Sequence, residues 1–138
     1  MQMIPQNQDP ARARAFFEQK IAFTTGPVEL SHAIEAHENI VIVDVREAED
    51  YAKAHVPGAI NLPRESWDNP EGLQKEKTAV VYCYTQQCHL AAHACAKWAG
   101  QGYRVMEMDG GFEAWSENEL ETEKGASRMG AGQRAFSR

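Results

Sequence analysis

The chain has 138 residues, of which 43% are hydrophobic and 25% charged, and these proportions are typical of one globular domain with its own core. Its formal net charge of −6 argues against a general nucleic-acid binder, because such proteins need a basic surface to displace counterions. The longest apolar run, Ala79–Tyr84, is too short to cross a membrane, and Met1–Gln6 shows neither the basic nor the apolar stretch of a secretory signal. We therefore expect neither a nucleic-acid nor a membrane partner.

Three cysteines lie close together in the sequence, at Cys83, Cys88 and Cys95. A secreted disulfide scaffold would carry an even and denser set. We therefore expect a reducing compartment, the cytoplasm, in which free thiols are available for chemistry.

Residues 1–25 are predicted to form an N-terminal arm with one amphipathic helix outside the main core. Asp9-Pro10 has the pattern of a helix N-cap followed by proline at the first helical position, and apolar side chains recur along Ala11–Phe23. Thr25-Gly26-Pro27 predicts the end of this helix, and a second helix is predicted over Val28–Ala36. The apolar face of the first helix could serve an interface, although the sequence leaves the oligomeric state unknown.

The rest of the chain alternates short strands with helices. Strands are predicted at Ile40–Val43, Ala79–Tyr82 and Arg104–Met108, with a weaker one at Ala59–Leu62. Helical patterns are predicted at Ala48–Ala54 and from about His89 to Gly100. This alternation indicates an α/β domain over residues 26–118, with a central, mainly parallel sheet flanked by helices. Residues 119–138 are expected to form a flexible tail, since they turn acidic and then rich in Gly, Ser and Arg.

Cys83 is a candidate nucleophile because it ends a predicted strand, where ligands bind in open α/β sheets. A thiol there faces a helix N-terminus and a turn of backbone N–H groups, which favour the thiolate and can hold an anion. The alternative is a small buried hydrophobe that ends the strand. The nucleophile is favoured by the polar segment that follows, namely Tyr84, Thr85, Gln86, Gln87, Cys88 and His89.

Three longer motifs extend this interpretation. They are Asp44-Val45-Arg46 continuing to His55-Val56-Pro57-Gly58-Ala59-Ile60-Asn61, then Val80-Val81-Tyr82-Cys83, and Asp109-Gly110-Gly111-Phe112-Glu113-Ala114-Trp115. Together they resemble the single-domain rhodanese-like sulfurtransferases over about Pro27 to Trp115. The resemblance implies a rhodanese-like α/β fold. It also implies that Cys83 is the catalytic cysteine, which takes a sulfane sulfur from a donor, becomes a persulfide and passes the sulfur to a nucleophilic acceptor.

The resemblance also implies roles for other residues. The loop from Tyr84 to His89 would bind substrate, and its N–H groups would stabilise the persulfide anion. Asp44 and Arg46 either tie this loop to the scaffold or form a structural ion pair, and both interpretations stay open. His55, Trp115 and Cys95 are expected to be packing residues, because His55 precedes a turn and Cys95 has apolar neighbours along its helix. The expected partners are a small sulfur donor and a thiol, cyanide or protein acceptor, with no cofactor and no metal.

The active-site loop departs from the family pattern, because it lacks the Arg, Lys or Gly that such sulfurtransferases often place there. The thiosulfate dianion would meet only backbone dipoles, glutamines and His89, so a protein or low-molecular-weight persulfide is an equally good donor candidate. Cys88 is unusual as a second thiol on the same loop. It could attack a Cys83 persulfide, leaving a disulfide and releasing reduced sulfur, or it could be a bystander.

Other functions were compared with the sulfurtransferase. A phosphatase of related fold would need an arginine where this chain has His89 or Leu90, to bind the oxyanion. A zinc site could use Cys83, Cys88, His89 and His93. A non-catalytic binding or redox-sensing module could use Cys83 and Cys88.

Overall fold

Residues 2–126 are described by the computed structural model, and within them five strands form one parallel sheet. The strands are β1 (Thr24–Thr25), β2 (Ile40–Asp44), β3 (Ile60–Asn61), β4 (Thr78–Tyr82) and β5 (Val105–Met108). Their order across the sheet is β1-β5-β4-β2-β3, and every neighbouring pair is parallel. The carboxyl ends of all five strands therefore meet at one edge, where ligands bind in sheets of this kind.

Helices cover both faces of the sheet. They are α1 (Pro10–Phe23), α2 (Pro27–Glu35), α3 (Ala48–Lys53), α4 (Leu90–Gly100) and α5 (Gly111–Glu117), with a single 3₁₀ turn at Arg64–Ser66. The predicted α/β fold is confirmed, and the predicted strands and helices begin and end within about one residue of those observed. The order of elements follows from the alternation of apolar strands with amphipathic helices.

The core has two layers because successive strand residues point to opposite faces of the sheet. Val81 and Cys83 pack with Trp98 of α4 on one face. Val80 and Tyr82 pack on the other face, against side chains from α2, α3 and α5. The thiol of Cys83 is thus directed to the α4 side.

Two elements, β1 and α5, were not predicted. Thr25-Gly26-Pro27 was expected only to end the first helix, but Thr24 and Thr25 pair with β5, with Thr24 opposite Glu107. Helix α5 has seven residues and follows Gly110, whose φ is +82°. Neither segment carries a repeated apolar pattern, so each depends on contacts with distant parts of the chain.

Helix α1 lies outside the core, as predicted. The side chain of Asp9 accepts a hydrogen bond from the Ala11 N–H at 3.0 Å, which confirms the predicted N-cap. Among residues 2–126, none of those in α1 is buried, and Phe17 and Ile21 are 53% and 73% exposed. Within the same residues, no helix combines the length and the hydropathy needed to cross a bilayer.

The first part of the expected tail, residues 119–126, contacts the domain. Glu123 forms an antiparallel bridge with His55, and the Gly125 N–H donates to the Ala52 carbonyl at 2.9 Å. The rest of that segment, residues 127–138, lies outside the described residues. The flexibility of the tail therefore stays a prediction.

Candidate active site

Cys83 follows the last residue of β4, at the carboxyl edge of the sheet. Its Sγ accepts a hydrogen bond from the Ala91 N–H, in the first turn of α4, at 3.4 Å. The same thiol donates to the Cys88 carbonyl oxygen at 3.3 Å. The residue is only 2% exposed. The structure thus brings this thiol between a strand end and a helix start, as the sequence predicts.

The loop after Cys83 rests on the N-terminus of α5. The Phe112 N–H donates to the Cys83 carbonyl at 2.8 Å, and the Gly110 N–H donates to the side-chain oxygen of Gln86 at 2.6 Å. These bonds take up N–H groups that the first turn of a helix leaves without an intrahelical partner. They also fix the position of the loop relative to the sheet.

Gly111 allows this close approach. Its φ is +64°, a region that residues with a side chain rarely adopt, and a Cβ here would lie 2.6 Å from the Tyr84 carbonyl carbon. The same Cβ would lie 2.7 Å from the Thr85 nitrogen. Any side chain at this position would therefore push the loop away from α5.

Asp44 and Arg46 form a buried ion pair beneath the loop. Arg46 Nη2 lies 2.8 Å from Asp44 Oδ2, and Arg46 Nε lies 3.1 Å from the same carboxylate. Tyr82 Oη donates to Asp44 Oδ2 at 2.7 Å. The guanidinium lies 4.3 Å from the ring centroid of Phe112 and 5.7 Å from that of Tyr84. The sequence left open whether this pair ties the loop to the scaffold or is a structural ion pair. The arrangement combines both, because the buried ion pair also packs against the loop and α5.

Tyr84 ties the start of the loop to α3. Its hydroxyl donates to Asp50 Oδ2 at 2.6 Å and accepts from the Glu47 N–H at 3.2 Å. Burial and the hydrogen bond to the Asp50 carboxylate raise the pKa of Tyr84 to about 12. The hydroxyl therefore stays a donor at neutral pH.

The two loop thiols have different proton affinities. Burial and the neighbouring Cys88 thiol raise the pKa of Cys83 to about 12. Burial also acts to raise the pKa of Cys88, yet this pKa is lowered, because the neighbouring Cys83 thiol and backbone N–H groups stabilise its charged form. Those N–H groups belong to Tyr84, Leu90 and Thr85. Burial thus opposes the thiolate expected at Cys83, whereas the loop N–H groups favour a thiolate at Cys88.

The solvent side of the loop is polar and carries no Lys or Arg. Gln86, Gln87 and His89 are exposed, whereas Thr85 and Cys88 are half-buried. The charge of Arg46 is directed to Asp44. An anion at this loop would therefore meet backbone N–H groups and amide side chains rather than a free cation.

Comparisons with known proteins agree with this geometry. The sequence profile of the rhodanese-like domain matches residues 27–118. The chain belongs to the rhodanese-like family. It is 34% identical over 104 residues to the thiosulfate sulfurtransferase GlpE of Pseudomonas putida, covering 73% of this chain and 93% of that one. Its fold superposes on the BH2092 protein of Bacillus halodurans with a TM-score of 0.78 and 34% identity, over 94% of this chain and 95% of that one.

The rhodanese-like domain also occurs within longer relatives. The chain is 35% identical over 88 residues to the HTH-type transcriptional regulator Rv0324 of Mycobacterium tuberculosis. That match covers 63% of this chain but only 39% of the regulator. The same domain therefore serves in proteins of different overall organisation.

The packing roles expected outside the loop are confirmed. The ring of His55, which is 1% exposed, stacks on Tyr51 at 3.7 Å, and its Nε2 lies 3.7 Å from Glu123 Oε1. Trp115 is 1% exposed in the core. Cys95 is half-buried on α4, and burial together with the nearby charge of Glu107 raises its pKa to about 12.

The zinc alternative is not supported. Among residues 2–126, no group of three or more His, Cys, Asp or Glu side chains is arranged to hold a metal ion. His89 and His93 are both exposed on α4 or at its start, whereas Cys83 is buried against the sheet. The buried thiol and the exposed imidazoles therefore do not form one ligand set.

Sequence reasoning missed the part that α5 plays in the site. Gly110 and Gly111 were noted only in the motif that ends the domain, yet they contact the loop directly. Two adjacent glycines at the end of a strand were the available signal. Such a pair indicates a backbone that must adopt positive φ or approach another segment closely.

Proposed function

We propose that this rhodanese-like domain is a sulfurtransferase that moves a sulfane sulfur through a persulfide on Cys83. The observation that carries the proposal is the place of Cys83 at the end of β4, with the Ala91 N–H of α4 on its sulfur. The similarity to a thiosulfate sulfurtransferase supports the reaction type. The proposed donor is thiosulfate or a persulfide, and the proposed acceptor is a thiol, cyanide or a protein.

Loading begins when Cys83 loses its proton. The Ala91 N–H, which donates to the Cys83 sulfur at 3.4 Å, stabilises the resulting thiolate. The Cys83 thiolate then attacks the sulfane sulfur. With thiosulfate this step forms the Cys83 S–S bond, breaks the bond to the sulfonate sulfur and releases sulfite. An acceptor nucleophile next attacks the outer sulfur and returns Cys83 to the thiolate.

The persulfide formed on Cys83 would be negatively charged at its outer sulfur. The N–H groups of Tyr84, Thr85 and Leu90 already stabilise a charge on the Cys88 sulfur beside it. We propose that they also stabilise the persulfide, as an oxyanion hole does with an alkoxide. Since no cation is present on the loop, a low-molecular-weight persulfide should be a better donor than the thiosulfate dianion.

Intact-mass analysis tests the proposal. The purified protein is incubated separately with thiosulfate and with a small organic persulfide, and its mass is measured without added thiol. We expect the gain of one sulfur in the double variant Cys88→Ser/Cys95→Ser, which keeps Cys83 as its one thiol, and no gain in Cys83→Ser. A Cys83→Ser protein that still gains one sulfur at another thiol would show that the assignment is wrong.

A second candidate is a non-catalytic redox-sensing module. The hydrogen-bonded pair of Cys83 and Cys88 favours it, since such a pair can be oxidised reversibly. Turnover separates the two functions, because a sensor would react once and form no product with an acceptor. For either function we propose a reducing compartment such as the cytoplasm, since Cys83, Cys88 and Cys95 are all free thiols.

A further inference from the structure

The two thiols of the loop are direct neighbours. Cys83 Sγ lies 3.3 Å from the Cys88 carbonyl oxygen, and the two thiols are close enough for each to shift the pKa of the other. The Cys88 N–H donates to the Thr85 carbonyl at 3.1 Å, so a tight turn directs Cys88 back over the strand end. The fold of the loop therefore places the second thiol beside the first. The spacing of the two cysteines in the sequence does not by itself show this.

We propose that Cys88 is a resolving thiol, which attacks the Cys83 persulfide and releases the sulfane sulfur as hydrosulfide. This inference rests on the proposed function, because it takes the loaded Cys83 as its substrate. It adds a second activity to the site. The domain would act as a dithiol reductase of small persulfides, in addition to passing sulfur to an external acceptor.

The surroundings of Cys88 suit this role. It is half-buried, whereas Cys83 is 2% exposed, so the resolving thiol can exchange protons with solvent. Hydrogen bonds from the loop lower its pKa and so favour the thiolate, which is the attacking form in sulfur exchange. Cys95 lacks these features, because burial raises its pKa to about 12 and it lies within α4 rather than on the loop.

The step balances without an external oxidant. The Cys88 thiolate attacks the inner sulfur of Cys83–S–SH, the Cys83–Cys88 disulfide forms, and the bond to the outer sulfur breaks. The outer sulfur leaves with that electron pair as HS⁻. The sulfane sulfur is thereby reduced, and the two cysteines together supply the two electrons. A dithiol reductant then cleaves the disulfide and returns both thiols for the next cycle.

A single-turnover experiment tests this step. The fully reduced protein is mixed with one equivalent of cysteine persulfide without oxygen or added thiol. Released sulfide, intact mass and the disulfide peptide map are then measured. The variants are Cys88→Ser and Cys88→Ala, and Cys95→Ser is the matched control that keeps both loop thiols. A thermal melt of each variant reports whether it is folded.

We expect wild type and Cys95→Ser to release one sulfide per protein and to form the Cys83–Cys88 disulfide. Both Cys88 variants should instead keep the added sulfur at first and release it only slowly, as the one equivalent of cysteine left by the donor attacks the persulfide. The inference is overturned if the Cys88 variants release sulfide as wild type does, or if no Cys83–Cys88 linkage forms. Folded Cys88 variants that gain no sulfur would overturn the proposed function itself. A wild-type protein that gains sulfur but releases no sulfide would overturn only the role of Cys88.

Discussion

At the scale of single residues, the reactivity of the site depends on which thiol of the loop pair holds the proton. Cys83 is more buried than Cys88, so the charged form costs more there. The N–H groups of Tyr84, Thr85 and Leu90 surround the Cys88 sulfur and stabilise its charge. The loop therefore favours the thiolate more at Cys88 than at Cys83, whose thiol donates to the Cys88 carbonyl oxygen.

Alkylation rates should follow this order of pKa values. A lowered pKa means that a larger fraction of Cys88 than of an unperturbed thiol is ionised at neutral pH. Cys95, with a pKa raised to about 12, should stay protonated. A short iodoacetamide pulse should modify Cys88 first at neutral pH, as peptide mapping would show. The ratio of the alkylation rates of Cys88 and Cys95 should then fall as the pH rises. Equal modification of Cys95 at neutral pH would contradict this order.

A cation placed on the loop should improve the use of thiosulfate. Gln87 is exposed, whereas the Gln86 side chain is held by the Gly110 N–H, so Gln87 is the position to change. A well-placed Gln87→Arg contact to the dianion is worth about 1–3 kcal/mol, which corresponds to roughly a 5- to 150-fold rise in kcat/KM for thiosulfate. Gln101→Arg, at an exposed position after α4, is the control for added charge. An unchanged kcat/KM in Gln87→Arg, or an equal rise in the control, would argue against the expected contact.

At the scale of elements, the active-site loop depends on α5 as much as on the strand before it. The N-terminal N–H groups of α5 bind the Cys83 carbonyl and the Gln86 side chain. Gly111 lets the two backbones touch. A short helix without a strong pattern of its own is thus stabilised by the loop that it supports.

The Gly111→Ala variant should displace the loop. The new Cβ would lie 2.6 Å from the Tyr84 backbone, and a positive φ with a side chain costs of order 1–3 kcal/mol before the clash is added. We expect a lower free energy of unfolding and slower sulfur loading of Cys83. Gly100→Ala is the matched control, because a Cβ there meets nothing within 4 Å and alanine favours the helix. Normal loading in a folded Gly111→Ala protein would show that the contact with α5 does not position the loop.

At the scale of the whole molecule, the buried ion pair joins the sheet to the helices on one face. Asp44 ends β2, and its carboxylate accepts hydrogen bonds from Arg46 and from Tyr82 of β4. Arg46 also donates to the Ala54 carbonyl at 2.6 Å, just after α3. Tyr82 Oη accepts from the Val56 N–H at 3.0 Å. One network thus links two strands and the segment after α3 below the active-site loop.

Loss of the Asp44 charge should destabilise the fold. Asp44→Asn leaves the guanidinium of Arg46 buried without its counter-charge, which costs about 3–5 kcal/mol in comparable buried pairs. Urea denaturation should show a lower midpoint with little change in slope. Asp68→Asn is the control, because the side chain of Asp68 is exposed and its ion pair with Lys97 is solvent-screened. Equal midpoints for the two variants would contradict the structural importance of the buried pair.

The sequence by itself determined the architecture and the place of the thiol. Short β-branched runs such as Ile40–Val43 must be buried on both faces, so the strands, the helices between them and the parallel sheet follow from local pattern. Cys83 could be placed at a strand end for the same reason. Cys88 could be placed on the same loop, because few residues separate it from Cys83.

Only the tertiary structure decided how these parts act on one another. β1 and α5 are too short to have a pattern, and they form because β5 and the active-site loop supply their partners. The sequence predicts a thiolate at Cys83, yet in the structure the pKa of Cys83 is raised and that of Cys88 is lowered. The reason is that a pKa depends on burial and on the direction of N–H groups, and packing between distant segments sets both.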